Sequence, residues 1–215
     1  MKHINHRLQE NRADILLVGI GGAGGNILNY MAETGRLPDW ADTLYLNTDL
    51  NSLFMSKGKK SIQLGEKLCC GKGSWADPKL GEAAMRETKE KVCSAVMRYG
   101  HVVLIAGLGS GTGAGGTPIL AQWLREMQIS HKIVVQTTYH FEGIKKARQA
   151  QDVLKQLRYA GECVRVVTGL EIQELANTKG VKRSLSNYLE LADQAVAERI
   201  EQILSGMRAV SAETD

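Results

Sequence analysis

Residues 101–118 read HVVLIAGLGSGTGAGGTP, and no other stretch limits the fold as tightly. Val102, Val103, Leu104 and Ile105 form a continuous apolar run of strand-forming residues, the pattern of a strand covered on both faces. Gly107, Gly109, Gly111, Gly113, Gly115 and Gly116 follow, with Ser110 and Thr112 between them. Pro118, Ile119, Leu120, Trp123 and Leu124 then take up helical spacing, so the reading is strand, glycine loop, and a helix opening near Pro118. A loop with so few side chains lets backbone N–H groups and the positive end of a helix dipole come close to a ligand. A phosphate chain is the ligand that suits them. A flexible glycine linker is the alternative, but a linker does not need a strand and a helix pressed against its two ends.

A second loop of this kind lies near the N-terminus. Residues 14–20 read as a buried strand that runs into Gly19, Gly21, Gly22, Ala23, Gly24, Gly25 and Asn26, with a helix from Ile27. The G-x-G-x-x-G at Gly19, Gly21 and Gly24 is a weak signal alone. Further strands are expected at 43–48, ending in Asn47, Thr48 and Asp49, then briefly near 62–64, at 132–138 and at 164–168. Helices are expected at 50–54, as one long amphipathic element over 80–96, as a basic helix over 144–157, and from Ser184 as N-cap onward. In that last helix Leu185, Leu189, Ala192, Val196, Ile200 and Ile203 share one face. Asn187, Glu190, Gln194, Glu198 and Glu201 face water. Residues 207–215 read as a loose tail. Gly71-Lys72-Gly73-Ser74 turns the chain but lacks Walker A spacing.

Strands alternating with helices imply an α/β fold, a mostly parallel Rossmann-like sheet with helices on both faces and a long final helix. Residues 13–207 read as one domain, with 1–12 and 208–215 as tails. Both glycine loops, the Asn47–Asp49 tip and the Glu142 loop then fall beyond the carboxyl ends of strands, where such sheets bind ligands. A net charge of +4 over 215 residues does not argue for nucleic acid, and no apolar stretch is long enough to span a membrane. Cys69, Cys70, Cys93 and Cys163 fit no zinc or redox spacing, which suits a reduced, cytoplasmic chain. His3 and His6 sit in a basic head and read as solvent-facing.

One glycine loop serves one pyrophosphate, and the first loop with Asp49 as a ribose-binding acid fits a dinucleotide. The longer second loop would then have no role. Two converging loops suit a mononucleotide with a longer phosphate chain, and this is the preferred reading.

Residues 107–113, GLGSGTG, resemble the signature loop of the tubulin/FtsZ family. Residues 19–26, Asn47-Thr48-Asp49, Gln63 to Leu68 and Phe141-Glu142-Gly143 follow in the order and spacing of its FtsZ branch, over residues 15–204. The resemblance implies that family's nucleotide-binding domain without its second domain, a bound GTP or GDP, and magnesium carried by the nucleotide. Gly21, Gly22, Ala23 and Asn26 would line the α- and β-phosphates, and Gly109, Ser110, Gly111, Thr112 and Gly113 would wrap them from the other side. Ser74 and Ala76 would lie near the γ-phosphate. Asn47 and Asp49 would approach the nucleotide and its magnesium waters, and Glu142 would hold the ribose. Asp193 would accept from guanine N1–H and the 2-amino group, as a carboxylate can.

This chain departs from the family pattern at several positions. Lys146 stands where the family has arginine, keeping the charge without the bidentate fork. Leu189 stands at the aromatic stacking position, with Tyr188 one place off, and Thr168 replaces an asparagine. Trp75 and the Cys69–Cys70 pair are unusual at their positions. The acidic loop that completes a neighbour's site in that family has no counterpart after Ile203, so no residue is assigned as catalytic. The polar outer face of the last helix is expected of a chain with no second domain packed on it. The implied function is guanine-nucleotide binding, with hydrolysis dependent on a full-length FtsZ-like partner. A weak GTPase acting alone or by self-association, and a nicotinamide-binding domain, are the alternatives.

Overall fold

The computed structural model describes residues 15–56, 60–181 and 184–212, with side chains to Met207; the basic N-terminal head with His3 and His6 lies outside them. The strands are β1 (Ile15–Ile20), β2 (Ala41–Asn47), β3 (Ser61–Gln63), β4 (His101–Gly107), β5 (Ser130–Gln136) and β6 (Val164–Val167). They form one sheet in the order β3-β2-β1-β4-β5-β6, with every neighbouring pair parallel. The chain therefore steps outward from β1 through β2 to β3, then returns to the other side of β1 for β4. Connections leave in opposite directions there, which opens a crevice beyond the carboxyl ends of β1 and β4.

The continuous apolar runs have the expected reason: both faces are covered. Leu16, Val18 and Ile20 of β1 point into one core, and Ile15 and Leu17 point into the other. The first core is closed by α3 (Pro78–Glu87), α4 (Lys89–Val96), α5 (Gly111–Glu126) and α6 (Ile144–Tyr159), through Met85, Val96, Leu120 and Leu157. The second is closed by α1 (Gly21–Glu33), α7 (Gly169–Thr178) and α8 (Leu185–Ala212), through Ile27, Leu28, Ile172, Val196 and Ile200. The short helix α2 (Leu50–Phe54) follows β2.

Several boundaries differ from the sequence reading, each for a local reason. Both glycine runs are largely helical: α1 opens at Gly21 rather than Ile27, and α5 at Gly111, so Pro118 is the eighth residue of α5. Glycine costs a helix about 1 kcal/mol per residue relative to alanine. What offsets it here is close approach. A Cβ on Gly115 would overlap the carbonyl of Pro78, and one on Gly81 would overlap that of Gly111, so α3 and α5 touch backbone to backbone. The long helix over 80–96 is two helices, broken at Thr88. The buried Thr88 hydroxyl donates to the Ala84 carbonyl at 3.0 Å and accepts from the Gly65 N–H at 2.9 Å, tying the break to a neighbouring loop. Helix α8 runs to Ala212 instead of ending near Met207. Helix α7 has no counterpart in the sequence reading; Thr168 caps it by accepting from the Glu171 N–H at 3.1 Å.

Ser184 caps α8 as expected, accepting from the Asn187 N–H at 3.2 Å. Its apolar stripe, however, changes role along its length. Ala192, Val196 and Ile200 are buried, whereas Leu185 and Leu189 are 59% and 45% exposed, beyond the end of the sheet.

Candidate functional site

A hollow of about 820 Å³ opens over the carboxyl ends of the strands at the β1–β4 crevice. The opening of α1 supplies Gly22, Ala23 and Asn26, the tip of β2 supplies Asn47 and Asp49, and the loop before α3 supplies Ser74 and Ala76. The β4–α5 junction adds Gly109, Ser110, Gly111 and Thr112. Glu142 and Lys146 come from around the start of α6, and Leu189 and Asp193 from α8. Fifteen of the seventeen residues singled out in the sequence thus share one cavity. The other two, Gly21 and Gly113, stand behind it. Gly21, at φ 72°, faces a side crevice of about 390 Å³, and the Gly113 N–H is taken by Ser110 Oγ at 3.2 Å. They mark where the two bends touch: a Cβ on Gly21 would lie 3.0 Å from Gly113 N.

The end of the hollow between these bends is built for an anion. Helix α1 starts at Ile20 with no side-chain cap and no acidic residue in its first turn. Helix α5 is capped only by Ser110 and also has no acidic first turn. Leading N–H groups and two positive dipole ends therefore face the same space. Beneath them lie three buried hydroxyls from separate elements. Thr112 Oγ1 sits 2.7 Å from Thr48 Oγ1 and 3.0 Å from Ser74 Oγ. The loop carrying Ser74 is docked by Gly73 N–H to Thr48 O at 3.1 Å and Leu50 N–H to Gly71 O at 3.0 Å. Trp75 and Ala76 hold left-handed backbone, φ 45° and 59°, which is costly for residues with a Cβ.

The charged groups around the hollow differ in how they are engaged. Asp49 caps α2 through Oδ1, which accepts from the Asn51 N–H at 2.8 Å, and the Asp49 N–H donates to Asn47 Oδ1 at 3.2 Å. Glu142 accepts from the Tyr139 N–H at 2.9 Å through Oε1 and pairs with Lys146 Nζ at 3.1 Å through Oε2. Asp193 makes no hydrogen bond or ion pair among the described residues. Burial, and then the neighbouring Glu190, push its carboxyl from 3.8 up to about 6.

Several lining residues escaped the sequence reading as site residues. Thr48 contributes its buried hydroxyl, Trp75 stands at the rim, and Tyr139 stacks on Phe141 with ring centroids 5.1 Å apart. The Tyr139 hydroxyl accepts from Gln136 Nε2 at 2.9 Å and donates to the Tyr188 carbonyl at 3.3 Å. Tyr30 and Glu33 continue the α1 face begun by Gly22 and Asn26. Their spacing from Asn26 carries the signal that could have found them.

Residues 14–177 match the Tubulin/FtsZ family, GTPase domain. The chain is 33% identical over 189 residues to cell division protein FtsZ 1 of Pyrococcus horikoshii, covering 88% of this chain and 50% of that one. It is 34% identical over 187 residues to cell division protein FtsZ of Aquifex aeolicus, covering 86% and 50%. The chain thus spans about half the length of the curated relatives it matches. Among solved structures, an empty FtsZ dimer from M. jannaschii superposes with a TM-score of 0.79 at 28% identity, covering 93% of this chain and 57% of that one. CetZ2 from Haloferax volcanii, solved as a GTPγS-bound protofilament, gives 0.74 at 25%, covering 89% and 58%. With the six-stranded parallel sheet, the paired glycine bends and the long last helix, these matches establish that the chain belongs to the tubulin/FtsZ family and carries its GTPase domain.

Proposed function

We propose that this domain binds GTP and GDP and acts beside a filament-forming FtsZ-like partner, with hydrolysis completed by a carboxylate from that neighbour. The observation that carries the reading is the polarity of the hollow. Two helix openings without acidic first turns line the same cavity as the Asp193 carboxylate. A phosphate chain suits the first. The adjacent N1–H and 2-amino donors of guanine suit the second, and adenine offers no such pair. Glu142, on the same cavity, would accept from ribose hydroxyls.

Magnesium would enter with the phosphates. Asn47 and the second carboxylate oxygen of Asp49 would take its bound waters, and the ion would neutralise charge on the phosphate chain. No group of three or more His, Cys, Asp or Glu side chains that could hold a metal ion occurs among the described residues.

The case for a neighbour's carboxylate rests on what already occupies the walls. Asp49 caps α2, Glu142 pairs with Lys146, Glu33 stands twelve residues after the opening of α1, and Asp193 is given to the base. Apart from the second Asp49 oxygen, which is given to magnesium waters, the phosphate end is left with hydroxyls and amides, which orient a water but do not take its proton at neutral pH. The relatives support the setting: two are named cell division proteins, and the CetZ2 structure is a GTPγS-bound protofilament. The four cysteines are free thiols, in keeping with a reducing cytoplasm. No helix among the described residues is long and apolar enough to cross a membrane.

Calorimetric titration with GTP, ATP and NAD tests the binding half: GTP should bind, and preference for NAD or ATP refutes it. Turnover tests the rest. Phosphate release should appear only when a full-length FtsZ-like protein is added, and concentration-independent turnover by the isolated protein contradicts it.

A further inference from the structure

We infer that Tyr30 is the platform on which the base stacks, so that affinity for the nucleoside comes largely from α1 while Asp193 on α8 selects the base. The inference rests on the guanine-nucleotide reading above and deepens it. Gly22, Ala23, Asn26, Tyr30 and Glu33 all line the hollow, and their three- and four-residue steps make them one face of α1. Tyr30 lies eight residues beyond Gly22, about 12 Å along the axis at 1.5 Å per residue. That is the separation a ribose puts between a phosphate chain at the helix opening and a base.

Helix α8 lends Leu189 and Asp193, one turn apart, to the same cavity. Beyond the site the loop after α1 is tied to α8 by Arg36 Nε to Glu201 Oε1 at 3.4 Å, and Tyr30 packs against the core cluster that holds Leu191 and Ala192 of α8, the neighbours of Asp193. Leu189 is aliphatic and 45% exposed, a weak partner for a heterocycle. The other rings of the hollow are already engaged. Tyr139 and Phe141 stack on each other, the Tyr139 hydroxyl is bonded on two sides, and Trp75 neighbours Ser74 at the phosphate end. Tyr30 is half-buried and packs against the core between the sheet and α8, which holds its ring in place. A base lying on such a π-face gains affinity whatever its hydrogen-bonding edge, which leaves discrimination to the carboxylate.

The test uses the whole chain and three variants, titrated with GDP and, separately, with inorganic tripolyphosphate. Tyr30→Leu keeps the apolar packing but removes the ring, and should weaken GDP about tenfold while leaving tripolyphosphate unchanged. Tyr30→Phe should bind GDP as the wild type does. Tyr30→Trp should retain binding, with indole emission quenched by GDP and not by tripolyphosphate. Wild-type GDP affinity in Tyr30→Leu overturns the inference while leaving guanine binding intact. Equal loss of GDP and tripolyphosphate also overturns it, because the role would then be structural. If the wild-type protein binds tripolyphosphate but not GDP, the guanine reading and this inference fall together.

Discussion

Replacing Asp193 with asparagine should move stability and binding in opposite directions, and the pH at which it does so follows from the site. In the free protein the Asp193 carboxyl is half-buried, has Glu190 as a neighbour, and is pushed up from 3.8 to about 6. The folded chain therefore holds this proton more tightly than the unfolded chain does. Below pH 3.8 both states are protonated and the stabilising contribution of the neutral acid is present in full. It is lost as pH rises through 6, and above that the fold bears the whole cost of an ionised, partly desolvated carboxylate. A shift of this size corresponds to about 3 kcal/mol at most, and relaxation toward solvent reduces it to roughly 1–3 kcal/mol. Asp193→Asn removes the charge and keeps the shape. Thermal unfolding at pH 7.5 should therefore show the ligand-free variant more stable than wild type by about 2–12 °C, at 2–4 °C per kcal/mol. The difference should shrink steadily between pH 6 and pH 4. GDP affinity, measured by calorimetry on the same samples, should fall by about ten- to a thousandfold, because the amide turns a donor toward a donor. Xanthosine diphosphate, which carries an oxygen where guanine has its 2-amino group, should bind the variant better than the wild type. A variant that is less stable than wild type at pH 7.5, or that binds GDP unchanged, refutes the assignment of Asp193 to an unpaired acceptor in the base site.

Other substitutions probe the frame around the hollow. Gly81→Ala would set a Cβ against the Gly111 carbonyl, forcing α3 back by on the order of 1 Å and stretching the Ser74–Thr112 bond. It should cost about 1–3 kcal/mol in chemical denaturation and weaken GTP more than GDP; an unchanged midpoint contradicts the backbone contact. Thr112→Val leaves the fully buried Thr48 hydroxyl without its bond and should cost about 1–3 kcal/mol. Thr112→Ser should recover most of that loss in the same unfolding assay. Trp75→Gly relieves left-handed backbone at a residue 76% exposed, and should raise stability by about 0.5–1 kcal/mol. A fall in the melting temperature would show that the indole makes contacts the fold depends on.

What the sequence discloses depends on how local the physics is. The strand at 102–105 was legible because a parallel strand covered on both faces must be apolar throughout, and Val102–Ile105 are all buried. That the run after it would open onto a hollow at the strand ends was legible from its glycines, but the start of α5 was not. Gly81 and Gly115 are glycines because α3 and α5 meet backbone to backbone, and neither partner is visible in the other's neighbourhood along the chain. Thr48 and Thr112 are 64 residues apart, so their hydroxyl bond exists only once β2 and α5 are brought together.

The last helix shows where periodicity itself stops deciding. Leu185, Leu189, Ala192, Val196 and Ile200 recur at helical spacing, and spacing alone sends all five to the core. The sheet ends before α8 does, so the same stripe that packs at Val196 opens onto a cavity at Leu189. Asp193, a single turn after Leu189, stands at the edge of that stripe, and the family resemblance rather than the spacing pointed it at a base. An acid there is expensive against a core and reasonable against a ligand that brings donors. Its raised pKa is that expense in the absence of the ligand, and it is the reason stability and recognition are expected to part at this position.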